Sequence, residues 1–402
     1  MTADRYVTPK PLSPLPLPAQ VSPVGPCIVS GNNDILLDAN GHSCIDLFTG
    51  HGTVWLGHAH PQITTAVTDQ LSKVWNTGGL TTSIASEART LIESFFPSSH
   101  YLAALYSTGM EASEFALRMA RSTTKKSGAI RFARNLHGKS LATAQLGWDN
   151  GSPPLLPGFH RLPFLPTVTE AEALKRLERT LSNGNISAVF IEPIQGSGGG
   201  HSASPHFYDS VLRQCRAHGA LSIFDEILTG FYRTGLPFFF SQLMETPDII
   251  LVGKAMSNGF PASGVMVNRE YPLHSDMLPG STYAGNPLAA AAITATLRQM
   301  RALDMPGQVT TLEEIITAAL SVLDALGIAL RGKGALWVIE LPPHLDVHRI
   351  AAGLYRRGVL VSYTVNQLRI LPAATIEPDN LKHACAIIVD ELTRICHDDT
   401  KN

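Results

Sequence analysis

Lys254 stands where a lysine is out of place. It follows the apolar run Ile249, Ile250, Leu251, Val252 and Gly253, and the chain beyond it turns at Asn258-Gly259 and Pro261. The run reads as a buried strand and the later residues as a turn. Two readings of the amine are open. It can carry its ammonium out to water from a strand end. Or it can sit in a partly dry site, where a lowered pKa makes it a nucleophile toward carbonyls. Asp225 closes a second apolar run, "ALSIFDEI", and Glu226 follows it. Strand neighbours point to opposite faces, so these two acids do not converge on one metal, and no histidine cluster offers another ligand set. No metal is therefore expected. A lone buried aspartate needs a cationic partner.

A third element is "YSTGMEASEFALRMAR", beginning at Tyr106. Ser107, Thr108 and Gly109 turn a strand into a helix, and Thr108 and Glu111 have capping-box spacing. The turn is either an ordinary capped helix or an anion site built from free N–H groups and the helix dipole. Lysine, aspartate and such a helix terminus together meet the needs of pyridoxal phosphate. The lysine bonds to its aldehyde, the aspartate keeps its ring nitrogen protonated, and the helix end holds its phosphate.

The elements that must position these groups alternate. Strands are expected at 101–107, 186–194, 220–227 and 248–253, with helices at 111–121 and over "SPHFYDSVLRQCRAHG", the latter ended by Gly219. Strand–helix alternation of this kind predicts an α/β fold with a mainly parallel sheet. The last stretch reads differently. Helices at 288–303 and 310–326 precede short strands near 335–341 and 358–371 and a closing helix at 378–396. The division expected is a proline-rich arm and part of a small domain over 1–50, a large domain over 51–290 and a C-terminal small domain over 291–402.

Eight segments in order resemble the class III (ω-type) pyridoxal-phosphate aminotransferases of fold type I. They are "GHAHPQITTAVTDQL", "STGMEASEFALRMAR", "LHGKS", "IEPIQGSGG", "FDEILTGFYRTG", "GKAMSNGFP", "GSTYAGNPLAAAA" and "LRILPAATI". The resemblance spans about residues 40 to 385. It implies a large domain with a mainly parallel sheet and a smaller α/β domain drawn from both chain ends. It also implies that Lys254 is the lysine bonded to the cofactor and the acid/base for the substrate's α-proton, and that Asp225 pairs with the ring nitrogen. Thr108, Gly109 and Met110 would cradle the phosphate. Leu136, His137, Glu192 and Ile227 would surround the cofactor. Thr282 would reach the phosphate of a neighbouring subunit, which makes a homodimer the expected assembly. Arg369 would grip a substrate carboxylate, unless it is a strand arginine paired with an acid. Trp55 and Trp75 would line the substrate entrance, unless they are core residues.

The sequence departs from the family at four of these positions. Leu136 stands for an aromatic residue, Leu228 for Gln, Met110 for Thr and Ser197 for Glu. The first three loosen the expected hold on the cofactor without removing a reacting group. Ser197 removes an acid that can mask the arginine. The activity implied is transfer of an amino group from an amino acid to an aldehyde or ketone. Aminomutase or racemase chemistry, or cofactor binding without turnover, are the alternatives on the same scaffold.

Composition agrees with that frame. The chain has 402 residues, 44% of them apolar and 16% charged, with a net charge of −2. The apolar share is large for so little charge, as a chain with an extensive subunit interface would show. The charge offers no footprint for nucleic acid or an anionic membrane. Five cysteines without a C-x-x-C pair suit a reducing compartment, and a cytoplasmic enzyme is expected.

Overall fold

The structure is a computed structural model that describes residues 26–147, 156–274, 277 and 280–399. Most of the proline-rich lead-in (8–26) falls outside the described residues.

The centre is a seven-stranded sheet. Its order from edge to edge is His100–Tyr106, Ser263–Asn268, Ile249–Gly253, Leu221–Asp225, Ile186–Ile191, Gly128–Phe132 and Phe159–Leu162. Only Ser263–Asn268 runs antiparallel, against both of its neighbours. The remaining pairings are parallel. The strands Gly128–Phe132, Ile186–Ile191, Leu221–Asp225 and Ile249–Gly253 are buried at every position, as a sheet covered on both faces requires. The expected strands and helices of this region are present. The antiparallel strand Ser263–Asn268 was not expected, because the turn residues before it hide its start.

The parallel strands send their carboxyl ends to one edge of the sheet. Ser107, Asn135, Glu192, Asp225 and Lys254 all lie at or just past those ends. Ligands of open α/β sheets bind along this edge.

The chain ends meet in two smaller sheets. The strands Ile28–Asn32, Ile35–Asp38 and Ser43–Asp46 form an antiparallel set, and Ser43–Asp46 pairs in parallel with Val359–Leu360, opposing Ile45 to Val359. The second small sheet runs Ala329–Lys333, Leu336–Glu340, Gln367–Ile370 and Ser362–Thr364. The helix Pro287–Ala302 starts at Asn286, whose side chain accepts from the Ala289 N–H, with Pro287 at the first helical position. That helix packs on the helices Pro61–Leu71 and Ser83–Glu93 and on the turn Lys254–Ser257. Residue 290 lies inside this helix. Among the described residues no helix is long and apolar enough to cross a membrane.

Candidate active site

Lys254 is reached through backbone that few residues adopt. Its φ is +43°, in the left-handed region, and it opens a short 3-10 turn over Lys254–Ser257 that closes at Asn258 with φ +48°. Asn258 then pins the turn to a distant segment. Its Oδ1 accepts from the Leu56 N–H at 2.7 Å and its Nδ2 donates to the Gly57 carbonyl at 3.0 Å. The amine faces a cavity of about 570 Å³ that Asp225, Glu192 and the turn Ser107–Met110 also line. Burial lowers the Lys254 pKa to about 8, and the nearby Arg369 cation adds to the shift. Asp225 and Glu192 oppose it. An amine in this condition is partly uncharged near neutrality, as a nucleophile toward carbonyls must be.

The helix Gly109–Thr124 points its amino end at the same cavity. Thr108 Oγ1 accepts from the Glu111 N–H, and Glu111 Oε2 takes the N–H groups of Ser107 and Thr108 at 3.0 and 2.9 Å. The capping box therefore uses Thr108 in shaping the turn. The N–H groups of Gly109 and Met110, which have no intrahelical acceptor, are left for an anion. A Cβ on Gly109 would stand 2.7 Å from Ile227 Cδ1, so glycine lets the helix end close on the cavity wall.

Asp225 and Glu226 part to opposite faces, as their strand positions require. Asp225 Oδ2 lies 2.7 Å from His137 Nδ1, and its Oδ1 accepts from the Ile227 N–H at 3.1 Å. Glu226 is fully buried on the other side, where it takes the N–H groups of Phe239 and Phe240 at 3.1 and 2.8 Å. Glu192 accepts from the Leu136 N–H, and burial pushes its carboxyl up to about 7. Leu136, Ile227 and Leu228 give the cavity aliphatic walls.

Arg369 occupies the neighbouring ground. Its Nη1 donates to Ser197 Oγ at 3.0 Å, its Nε to Ser362 Oγ at 3.1 Å, and its Nη2 lies 3.0 Å from His51 Nδ1. Burial lowers the His51 pKa to about 4, with Arg369, Lys254 and Lys139 adding to the shift. His51 is therefore neutral and accepts from the guanidinium. Among the described residues no carboxylate forms a hydrogen bond or ion pair with Arg369. His51 and Ser362 escaped the sequence reading. A histidine between two glycines is a weak local signal, and Ser362 meets Arg369 only through strand pairing.

Trp55 is a correction. It is completely buried and forms no part of the cavity wall. The Arg233 guanidinium lies 3.8 Å from the centre of its ring, and the pair is sealed in the core. The apolar context "VWLG" was the signal for this. Trp75 is exposed, with its Nε1 donating to the Leu71 carbonyl at 2.7 Å. Thr282 lies on the surface in the turn before the helix Pro287–Ala302, and its carbonyl accepts from Asn76 Nδ2 at 2.9 Å.

An amine of lowered pKa, a carboxylate, and the amino end of a helix thus share one cavity of ordinary ligand size. These groups fit pyridoxal phosphate. Comparison with known proteins agrees. Residues 18–392 match the family Aminotransferase class-III. The chain is 35% identical over 360 residues to an acetylornithine aminotransferase of Bacillus subtilis, covering 86% of this chain and 90% of that one. It is 36% identical over 287 residues to the acetylornithine aminotransferase of Halalkalibacterium halodurans, covering 68% and 70%. The crystal structure of ornithine aminotransferase from Toxoplasma gondii superposes with a TM-score of 0.84 at 25% identity, covering 94% of this chain and 93% of that one. A second structure of that enzyme is described with pyridoxal phosphate at partial occupancy in its active site. With the match running from residue 18 to 392, this chain belongs to the class III aminotransferases and is a pyridoxal-phosphate-dependent transaminase of fold type I.

Proposed function

We propose that this aminotransferase draws its amino group from an α-amino acid, glutamate or alanine in the first instance, and holds the donor's carboxylate on Arg369. The observation that carries this is the set of partners around that guanidinium. They are two serine hydroxyls and a neutral imidazole, while Glu192 acts on the cation through charge without a hydrogen bond. A buried cation without a hydrogen-bonded counter-ion is costly, and an arriving carboxylate supplies both the charge and a bidentate match. The names of the relatives point the same way, since ornithine and acetylornithine each carry a carboxylate.

The roles follow from position. Gly109 and Met110 N–H groups hold the cofactor's phosphate, with Thr108 fixing the turn. Ile227 and Leu136 would cover the two faces of its ring, and Asp225, backed by His137, would hold the proton on the ring nitrogen. Glu192 supports the wall between Leu136 and the cavity. Pyridoxal phosphate supplies the electron sink for the pair released when the donor's Cα–H bond breaks. Lys254 Nζ anchors the cofactor, takes that Cα proton as base, and returns a proton in the opposite half-reaction. Arg369 orients the donor so that its Cα–H faces Lys254. Thr282 completes the phosphate site of a second copy, so the working unit is a homodimer, and the compartment is the cytoplasm. The small domain takes residues 1–50 and the chain after the helix Pro287–Ala302, a later cut than 290.

The test is a spectral screen of the purified holoenzyme against glutamate, alanine and simple amines, following loss of the cofactor's bound-aldehyde absorbance. Glutamate and alanine should discharge it and simple amines should be poor donors. If simple amines react as fast, and Arg369→Ala changes neither class, Arg369 is not the carboxylate anchor. Light scattering should give twice the chain mass, and a monomer that is fully active would remove Thr282 from the site.

A further inference from the structure

Behind Asp225 runs a chain of buried side chains whose donor and acceptor roles are set from its far end. Gln195 Nε2 lies 2.7 Å from the Ala133 carbonyl and 2.6 Å from Asn135 Oδ1. A backbone carbonyl only accepts, so the end of Gln195 that faces it is the NH₂. That NH₂ also meets Asn135, which must present its oxygen there. The other end of Asn135, its NH₂, therefore faces His137 Nε2 at 3.2 Å, with the Phe190 carbonyl at 3.4 Å as its second acceptor. His137 Nε2 accepts and carries no proton. The proton of the ring is on Nδ1, which donates to Asp225 Oδ2 at 2.7 Å.

Solvent has almost no access to this chain. Gln195 is 0%, Asn135 1% and His137 3% exposed. Two acids face His137, namely Asp225 and Glu192, and the Phe190 ring lies tilted against it with its centre 5.3 Å away. With Nδ1 turned to Asp225, Nε2 is the nitrogen that a second proton would occupy. Asn135 fills that nitrogen with a donor.

We infer that Gln195 and Asn135 are positioning residues that hold His137 as the neutral Nδ1–H tautomer, so that Asp225 keeps its negative charge toward the cavity. An imidazolium at His137 would pair with Asp225 and cancel the charge that faces the cofactor. A neutral imidazole orients the carboxylate and leaves its charge intact. The inference rests on the reading that Asp225 faces the cofactor's ring nitrogen.

The tautomer is measurable without turnover. In the apoenzyme labelled with ¹⁵N-histidine, with His137 assigned by the His137→Gln variant, we expect one protonated nitrogen (Nδ1) and one bare nitrogen (Nε2) at pH 7. Asn135→Asp places an acceptor against Nε2 and should convert His137 to the doubly protonated form. Gln195→Ala frees the Asn135 amide to rotate and should give a mixture, and it stands in if Asn135→Asp does not fold. In the holoenzyme the absorbance titration of the bound cofactor should move to higher pH by about one unit or more in Asn135→Asp, because a ring that loses its pyridinium charge holds the proton of its lysine-linked nitrogen more tightly. Protonation at Nε2 in the unmodified apoenzyme overturns the inference, and so does a neutral His137 in both variants. If the nitrogen signals behave as expected and Asp225→Asn shifts the absorbance titration while Asn135→Asp does not, the tautomer does not govern Asp225 and the inference fails. If neither variant shifts it, the tautomer assignment stands and the placement of Asp225 against the ring nitrogen falls instead.

Discussion

The seam around Arg233 and the pocket around Arg369 each bury a guanidinium, and neither gives it a carboxylate. At the seam, Arg233 Nη1 donates to the carbonyls of Pro372 at 2.7 Å and Ala335 at 3.4 Å, and Nη2 to that of Gly52 at 2.9 Å. Its flat face covers Trp55. These carbonyls come from an early segment and two late ones, so one side chain ties together stretches far apart in the chain. Gly52 takes a φ of +81°, and a Cβ there would meet Leu228 Cδ1 at 2.9 Å. In the pocket, Arg369 is met by two hydroxyls and a neutral imidazole. Burial lowers both cations, to about 9 for Arg233 and about 10 for Arg369. The acceptors separate them. Backbone carbonyls are fixed by the fold and cannot be exchanged for a ligand. Hydroxyls rotate and an imidazole can turn, so a carboxylate can replace them. A buried guanidinium is thus held by fixed carbonyls in one place and by side chains that can turn away in the other.

The contrast sharpens first on Lys254, the amine at the cavity wall. Lys254→Ala should reduce transamination by at least about 10⁴-fold, since it removes the amine at the strand end beside Asp225. The thermal midpoint of the apoenzyme should hardly move. Mass spectrometry after borohydride treatment should find no cofactor fixed to the variant, and cofactor fixed elsewhere with activity retained would remove Lys254 from its role.

The seam should show the reverse pattern. Arg233→Met keeps an apolar stem against Trp55 but leaves three carbonyls without their donor, and should cost about 3–5 kcal/mol in urea denaturation. An equal cost for Arg369→Met would break the distinction between the two sites.

The pocket should respond in affinity and not in stability. Arg369→Ala should lower kcat/KM for glutamate by about 2–4 kcal/mol in free-energy terms. Its unfolding free energy should stay within about 1 kcal/mol of the parent, because the hydroxyls it leaves can reorient.

The smallest effect is on pH dependence. Attack on the cofactor's aldehyde needs the uncharged amine, so the rate at which apoenzyme captures pyridoxal phosphate should rise with pH and level off above the Lys254 pKa of about 8. Between pH 7 and pH 9 the uncharged fraction grows about tenfold for such a group, where a lysine titrating at its ordinary value would still be climbing. Arg369 is the larger cationic contributor to that lowered value and Arg233 the smallest cause of the shift. Arg369→Ala should therefore move the midpoint upward, and Arg233→Met should move it less. A larger shift from Arg233→Met would contradict this account of the pocket's electrostatics.

Much of this was legible in advance. The strand runs ending at Asp225 and Lys254, the capped turn at Thr108 and the Asn286-Pro287 helix start are local patterns, and each forms where its residues indicate. The strands Gly128–Phe132 and Phe159–Leu162 were missed because they lack a run long enough to distinguish strand from buried loop. For Trp55 the sequence left the substrate entrance and the core both open, and the structure buries it completely in the core.

The sequence by itself determined the fold class, the placing of Lys254 and Asp225 at strand ends, and the capped helix start at Thr108, because strand periodicity, capping and chain order are properties of neighbouring residues. It also raised the removal of an acid at Ser197. Tertiary structure alone decided what surrounds those groups. Arg369 meets Ser197 from 172 residues away and His51 from 318, and His137 meets Asp225 from 88. Whether a buried arginine ends among fixed carbonyls or rotatable hydroxyls, and which nitrogen of a histidine keeps its proton, depends on atoms that only folding brings within hydrogen-bond range. No spacing along the chain encodes those distances.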